Sequence, residues 1–176
     1  MFRALLIACC LTSCPALADS AAAIGDLLNQ RLSLMKDVAG YKAQRHLPIE
    51  DLTQEARVLA SSQAEAGRLG LEPTSVRPFI VAQMDAAKAI QYRYRADWLA
   101  TPESGWQPRP LDGVRPQIAE LSSRILQRLA RRLQSGPLAE AERGAFVQAM
   151  NQVNLGEADK QRLFDALLAV KAGKAG

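Results

Sequence analysis

Two cations sit on a helical stripe that should be apolar. Arg31 and Lys42, the ends of RLSLMKDVAGYK, are eleven residues apart. At 100° per residue that is three turns plus about 20°, so both point the same way as Met35 and Val38. Three more polar residues repeat the anomaly. Glu55 lies one turn from Leu52 and Leu59, and Gln83 and Gln91 share the apolar stripe of a later helix, Gln91 one turn after Ala87. Each has a plain structural reading: Arg31 as a snorkelling residue at a helix flank, Glu55 as the ion-pair partner of Lys42, Gln83 as a satisfied core amide. Together they weigh differently. A charge buried without a partner costs several kcal/mol. Two cations, a carboxylate and an amide converging from three helices make a net positive pocket, and a bound dianion relieves its cost.

What is missing narrows the chemistry. The one histidine, His46, falls in a connecting segment and reads as a solvent-facing turn residue, so a Ser–His or Cys–His nucleophile is not expected. There is no H-E-x-x-H motif or Cys/His cluster to hold a metal, and no Gly-rich loop after a strand to cradle a nucleotide. The pocket is expected to work without metal or cofactor, by binding or by electrostatics alone.

The elements that position these residues are expected to be helices. Ala, Leu, Arg, Gln and Glu dominate, long stretches lack Gly and Pro, and alternating β-branched runs are absent. The chain is read as all-α, one domain. Helix one is expected from about Ala21 to Gln44. Helix two runs from about Ile49 to Leu69, burying Leu52, Val58, Leu59 and Leu69. Helix three, from Pro73 or Thr74 to about Leu99, carries Val76, Phe79, Ile80, Met84 and Ile90. ATPESGWQPRPLDG, residues 100–113, holds three prolines and two glycines and reads as a loop. Helix four, about Val114 to Gln134, turns Ile118, Leu121, Ile125, Leu129 and Leu133 inward. Its other face carries Arg124, Arg128, Arg131 and Arg132. Shorter helices follow at about 138–153 and 157–172. Long helices with short connections pack most simply as a bundle.

The first residues are read as an export signal. MFRALLIACCLTSCPALADS has an early cation, an apolar run and Ala16-Leu17-Ala18 before Asp19, the pattern of a cleavable signal peptide over 1–18. A second reading, in which Leu11-Thr12-Ser13-Cys14 is a lipobox and Cys14 is lipidated, would place the protein on a membrane. Otherwise no membrane association is expected. All three cysteines, Cys9, Cys10 and Cys14, lie within this segment, so the expected mature chain, 19–176, has no disulfide or thiol chemistry. With a formal net charge of only +4 and no dense basic stripe, nucleic acid is not an expected partner.

Three quoted motifs carry a family resemblance. R-x-x-L-M-x-D-V-A-x-Y-K, L-P-I-E-D-x-x-x-E and A-Q-M-x-A-A-K-x-I-Q together resemble the all-helical AroQ-type chorismate mutases, over roughly Leu27 to Leu126. The export signal and extra C-terminal helices are similar to the exported gamma subclass. The resemblance implies a single helical domain, with catalytic helices over about 21–134 and a helical tail over 137–173. It implies rearrangement of chorismate, a dianion, to prephenate on the route to phenylalanine and tyrosine.

It also implies roles. Arg31 would grip a substrate carboxylate, and Lys42 would bond the ether oxygen and a carboxylate. Glu55 would bond the substrate hydroxyl, with Asp51 at the adjoining wall. Gln91 would donate a second bond to the ether oxygen, and Arg115 would hold the second carboxylate. Gln54 replaces the arginine of many relatives, and Ala87 replaces their serine or threonine, each losing a polar contact; Arg57 or Lys88 is the candidate to compensate. The bundle could hold the whole site in one chain, with Arg115 in cis; the outer faces leave room for a homodimer. The rival reading is an exported, non-catalytic helical module that binds an anion or peptide, docking through the arginine face of helix four. The plain alternative for that face is solvated charge.

Overall fold

The computed structural model describes residues 19–173; the signal and lipobox readings over 1–18 lie outside them. Seven α-helices are present among the described residues: α1 Ala21–Ser33, α2 Met35–Gln44, α3 Leu52–Arg68, α4 Pro73–Ala100, α5 Leu111–Gln134, α6 Arg143–Gln148 and α7 Glu157–Leu168. The expected all-α architecture is what the chain adopts. The strand-like pairing among these residues is an isolated bridge of Leu71 with Ala172, which ties the tail to the turn before α4.

Local chemistry sets the boundaries. Ser20 Oγ accepts the Ala23 N–H at 3.2 Å and starts α1. The single helix expected over 21–44 is divided at Leu34. Ser33 Oγ donates back to the Gln30 carbonyl at 2.7 Å, competing for the acceptor that the Leu34 N–H would use. Leu34 still has right-handed helical dihedrals, φ −73° and ψ −12°, and its carbonyl accepts the Val38 N–H at 3.2 Å. The stripe therefore stays in phase across the break. Asp51 caps α3 by accepting the Gln54 N–H at 3.0 Å, so α3 begins after Asp51 rather than near Ile49. Glu72 caps α4 through Thr74 and Ser75, with Pro73 at its first position.

α4 is the central helix. It packs against α2 and α3 on one side and α7 on another, while α1 packs against α5 and α6. Fully buried Phe79, Phe146 and Phe164 link α4, α6 and α7. α3 is the exception. Only Ala66 on it is buried, and Leu52, expected inside, is 74% exposed at its first position. α3 packs on α4 and α5 but also borders a cavity, so much of its inner face is only half-buried.

The tail departs from expectation by being shorter. A 3₁₀ turn at Glu140–Glu142 and α6 replace the helix expected over 138–153, and α7 stops at Leu168. The arginine face of α5 is not simply solvated. Arg131 and Arg128 face Asp19 at 3.2 and 3.9 Å. Arg132 binds Glu142 at 2.6 Å and the Gly136 carbonyl at 3.0 Å. Among the described residues no helix is long and apolar enough to cross a membrane.

Candidate active site

A cavity of about 290 Å³ lies between α1, α2, α3, α4 and α5. Of the residues singled out from sequence, Arg31, Lys42, Asp51, Gln54, Glu55, Ala87, Gln91 and Arg115 line it. Gln83 does not; it borders a small void behind Arg31 with Ser62 and Ser122. His46 is exposed in the α2–α3 connection.

The floor is buried and the mouth is open. Arg31 and Gln91 are 6% and 5% exposed, and Met35 and Ala87 lie beside them. Arg115 and Asp51 are exposed. Arg31 Nε donates to Ser122 Oγ at 3.0 Å, and Ser122 Oγ donates to the Ile118 carbonyl at 2.8 Å. Arg31 has no carboxylate partner among the described residues, and its Nη1 is buried without a hydrogen bond. Burial lowers its pKa to about 10. Lys42 Nζ donates to the Ile49 carbonyl at 2.6 Å. Burial, with Arg115 and Arg95 nearby, pulls its pKa below the ordinary lysine value, against the opposing pull of Asp51 and Glu55.

Glu55 is not the ion-pair partner of Lys42. Its Oε2 accepts from Lys88 Nζ at 3.0 Å, and Lys88 also meets Asp85 at 3.2 Å. Its Oε1 accepts the Asp51 N–H at 3.4 Å. Lys88 is a pocket residue that the stripe arithmetic passed over. Its signal was local: Asp85 three residues before it, and Ala87 beside it on the α4 stripe. Burial pulls the Lys88 pKa down, but its bonds to Glu55 and Asp85 outweigh that and raise it. The pocket carries cations at Arg31, Lys42, Lys88 and Arg115 and carboxylates at Asp51, Glu55 and Glu65. Glu55 is paired with Lys88, and Glu65 is hydrogen-bonded to the neutral Ser123 hydroxyl. Lys42 feels the carboxylates of Asp51 and Glu55, whereas Arg31 is buried without a carboxylate partner among the described residues.

Gln91 Nε2 donates to the Ala87 carbonyl at 3.0 Å and lies 3.7 Å from Met35 Sδ. Its Oε1 is buried without a partner. Two orphaned polar atoms, Arg31 Nη1 and Gln91 Oε1, thus belong to residues on the floor of one cavity. Native interiors rarely leave such atoms unpaired without a reason, such as a catalytic role; Arg95 Nε and Arg128 Nε, outside this cavity, are also unpaired. No group of His, Cys, Asp and Glu among the described residues is arranged to hold a metal ion.

Residues 19–92 match the family model for type II chorismate mutases. The secreted chorismate mutase of Yersinia pestis is 53% identical over 146 residues, 82% of this chain and 78% of that protein. The chain belongs to the type II chorismate mutase family. A monofunctional chorismate mutase of Enterobacter agglomerans is 42% identical, over 86% of this chain and 84% of that one. Among solved structures, that of the Yersinia pestis secreted chorismate mutase superposes with a TM-score of 0.80 at 51% identity, covering 85% of this chain and 97% of that chain. The chorismate mutase of Burkholderia thailandensis superposes with a TM-score of 0.71 at 26% identity, with the same coverages. The activity is accordingly that of a chorismate mutase, an isomerase.

Proposed function

We propose that this cavity is where chorismate rearranges to prephenate, and that Arg31, Lys42, Gln91 and Arg115 are the residues that act on it. The reaction is intramolecular: the ether C–O bond breaks as a C–C bond forms, and no group leaves the molecule. It needs no nucleophile and no proton transfer. Chorismate brings two carboxylates and must be held in a compact, chair-like conformer, and negative charge grows on the ether oxygen as the C–O bond opens. Preorganised donors in a site shielded from water favour that charge more than the ground state. Holding the conformer removes part of the entropic barrier.

The observation that carries this assignment is the buried Arg31 guanidinium, without a carboxylate partner and with an orphaned donor, lining one cavity with Lys42. Arg31, fixed through Nε by Ser122, offers the rest of its guanidinium to one carboxylate. Arg115 at the mouth takes the other. Lys42 turns from the Ile49 carbonyl toward the ether oxygen. Gln91 joins it once its amide leaves the Ala87 carbonyl, which keeps its ordinary intrahelical N–H partner. Glu55, steadied by Lys88, accepts the substrate hydroxyl beside Asp51. Lys88 also returns a positive charge near Gln54, although its bonds to Glu55 and Asp85 take up much of its donor capacity.

We further propose that residues 1–18 direct export and that 19–176 form the working domain, with 21–134 building the site and 137–173 supporting it. The sequence pattern supports this, as does the secreted character of the Yersinia pestis relative. A homodimer through the outer faces would leave the pocket unshared, because one chain lines it. The test is direct. Purified protein is mixed with chorismate, without added metal, and the absorbance of chorismate is followed while prephenate is identified as the product. One-for-one conversion is expected; stable chorismate at high protein concentration would leave only the anion-binding reading.

A further inference from the structure

Residues 101–110, between α4 and α5, run along one face of α2. Lys36 Nζ meets Glu103 Oε1 at 2.6 Å and lies 4.5 Å from the centre of the Trp106 ring. Trp106 covers Gly40 so closely that an added methyl group would sit 2.6 Å from its Cη2. Gln44 Nε2 donates to Gln107 Oε1 at 3.0 Å. The chain then turns back toward Asp37. This aspartate, 9% exposed, accepts both the Arg109 backbone N–H at 3.0 Å and Arg109 Nε at 2.7 Å. Arg109 Nη1 also reaches Gln117 Oε1, in the second turn of α5, at 3.4 Å.

This clamp sits at a point of leverage. The far half of α5 is fixed in the core by Ile125, Leu126, Leu129 and Leu133, whereas its first turns bury only Leu111 and Val114. Leu111 and Arg115, one turn apart on α5, face the cavity. Asp37 does not line the cavity, but Lys42, on the same helix, does. A buried carboxylate gripping backbone and side chain two residues before α5 begins therefore ties the Arg115 end of the site to the Lys42 end.

We propose that Asp37 and Arg109 are positioning residues for Arg115. The clamp sets where the start of α5 lies against α2, and so how far Arg115 stands across the mouth from Lys42. The inference rests on the assignment of Arg115 to a substrate carboxylate. Its energetic logic is that a buried carboxylate accepting two bonds from one residue, a backbone N–H and a half-exposed guanidinium, is geometrically strict, and small displacements of a substrate-holding group are costly to rate.

The test is a double-mutant cycle on chorismate kinetics, with unfolding midpoints measured alongside. Arg109→Ala and Arg115→Ala are each expected to raise KM about tenfold, with kcat changed less. The double variant should be within about twofold of Arg115→Ala, because both remove the same contact. Arg109→Lys should recover part of the loss. Gly40→Ala displaces Trp106 and presses on Pro108, next to Arg109; by shifting the clamp it should raise KM with the same non-additive pattern, and it covers the case in which Arg109→Ala does not fold. An unchanged KM in Arg109→Ala, or multiplicative effects in the double variant, overturns the positioning role alone. A silent Arg115→Ala overturns the assignment of Arg115 itself, and the positioning role with it.

Discussion

Arg31 is a buried guanidinium held at one end and unanswered at the other. Its folded pKa of about 10 lies below the ordinary arginine value. Between those values the unfolded chain binds more protons, so stability rises with pH there, and below about pH 10 the fold bears the whole cost of burial. That cost is about 3 kcal/mol. Arg31→Met, an unbranched apolar replacement, should therefore stabilise the empty protein by about 1–3 kcal/mol, raising the unfolding midpoint by several degrees, while turnover collapses. Calorimetry and the chorismate assay check both halves. Arg31, Lys42 and Gln91 set the pH profile. Arg31 and Lys42 must be protonated to act, and burial lowers the pKa of both, so kcat/KM should fall on the alkaline side. Gln91 donates without titrating, so activity should hold through neutral pH. Gln91→Glu must be protonated to donate, and its profile should shift to acid. Arg31, Lys42 and Gln91 were legible because helical periodicity alone shows a polar group on an apolar face. The partner of Glu55 was not, because Lys88 comes from another helix and such a pairing depends on packing.

At the level of elements, the long helices could be read from their stripes and the long loop from its prolines. The break at Leu34 could not, because it turns on one side-chain bond from Ser33 that leaves the periodicity intact. The tail was misjudged for a related reason. Its apolar residues recur often enough to suggest long helices, but the first part of the expected 138–153 helix folds as a loop and the 3₁₀ turn Glu140–Glu142, and α6 ends at Gln148. Gly136 and Asn154, with φ 109° and 66°, lie in the breaks already expected. These short helices buttress the back of the site. An added methyl group at Gly25 on α1 would lie 2.7 Å from the Phe146 carbonyl oxygen and 3.0 Å from Ala149 Cβ. Gly25→Ala should push α6 away and cost about 1–3 kcal/mol. KM should stay unchanged, since neither Gly25 nor α6 reaches the cavity. Unfolding curves paired with kinetics separate these outcomes.

For the whole molecule, the fold places one cationic cavity inside one chain, and the catalysis we propose rests on fixed charge. That arrangement explains why polar residues occupy core stripes on α1, α2 and α4: they cost stability when the cavity is empty and gain their partners when a dianion fills it. The central claim is that Lys42 belongs to the chemistry and not to the scaffold. The decisive measurement is the turnover of chorismate by Lys42→Ala together with its thermal unfolding midpoint. Turnover should fall by at least about 10²-fold, the usual effect of removing a donor to developing charge, while the midpoint stays level or rises. A variant that unfolds, or one that turns over chorismate at the parent rate, would contradict the account.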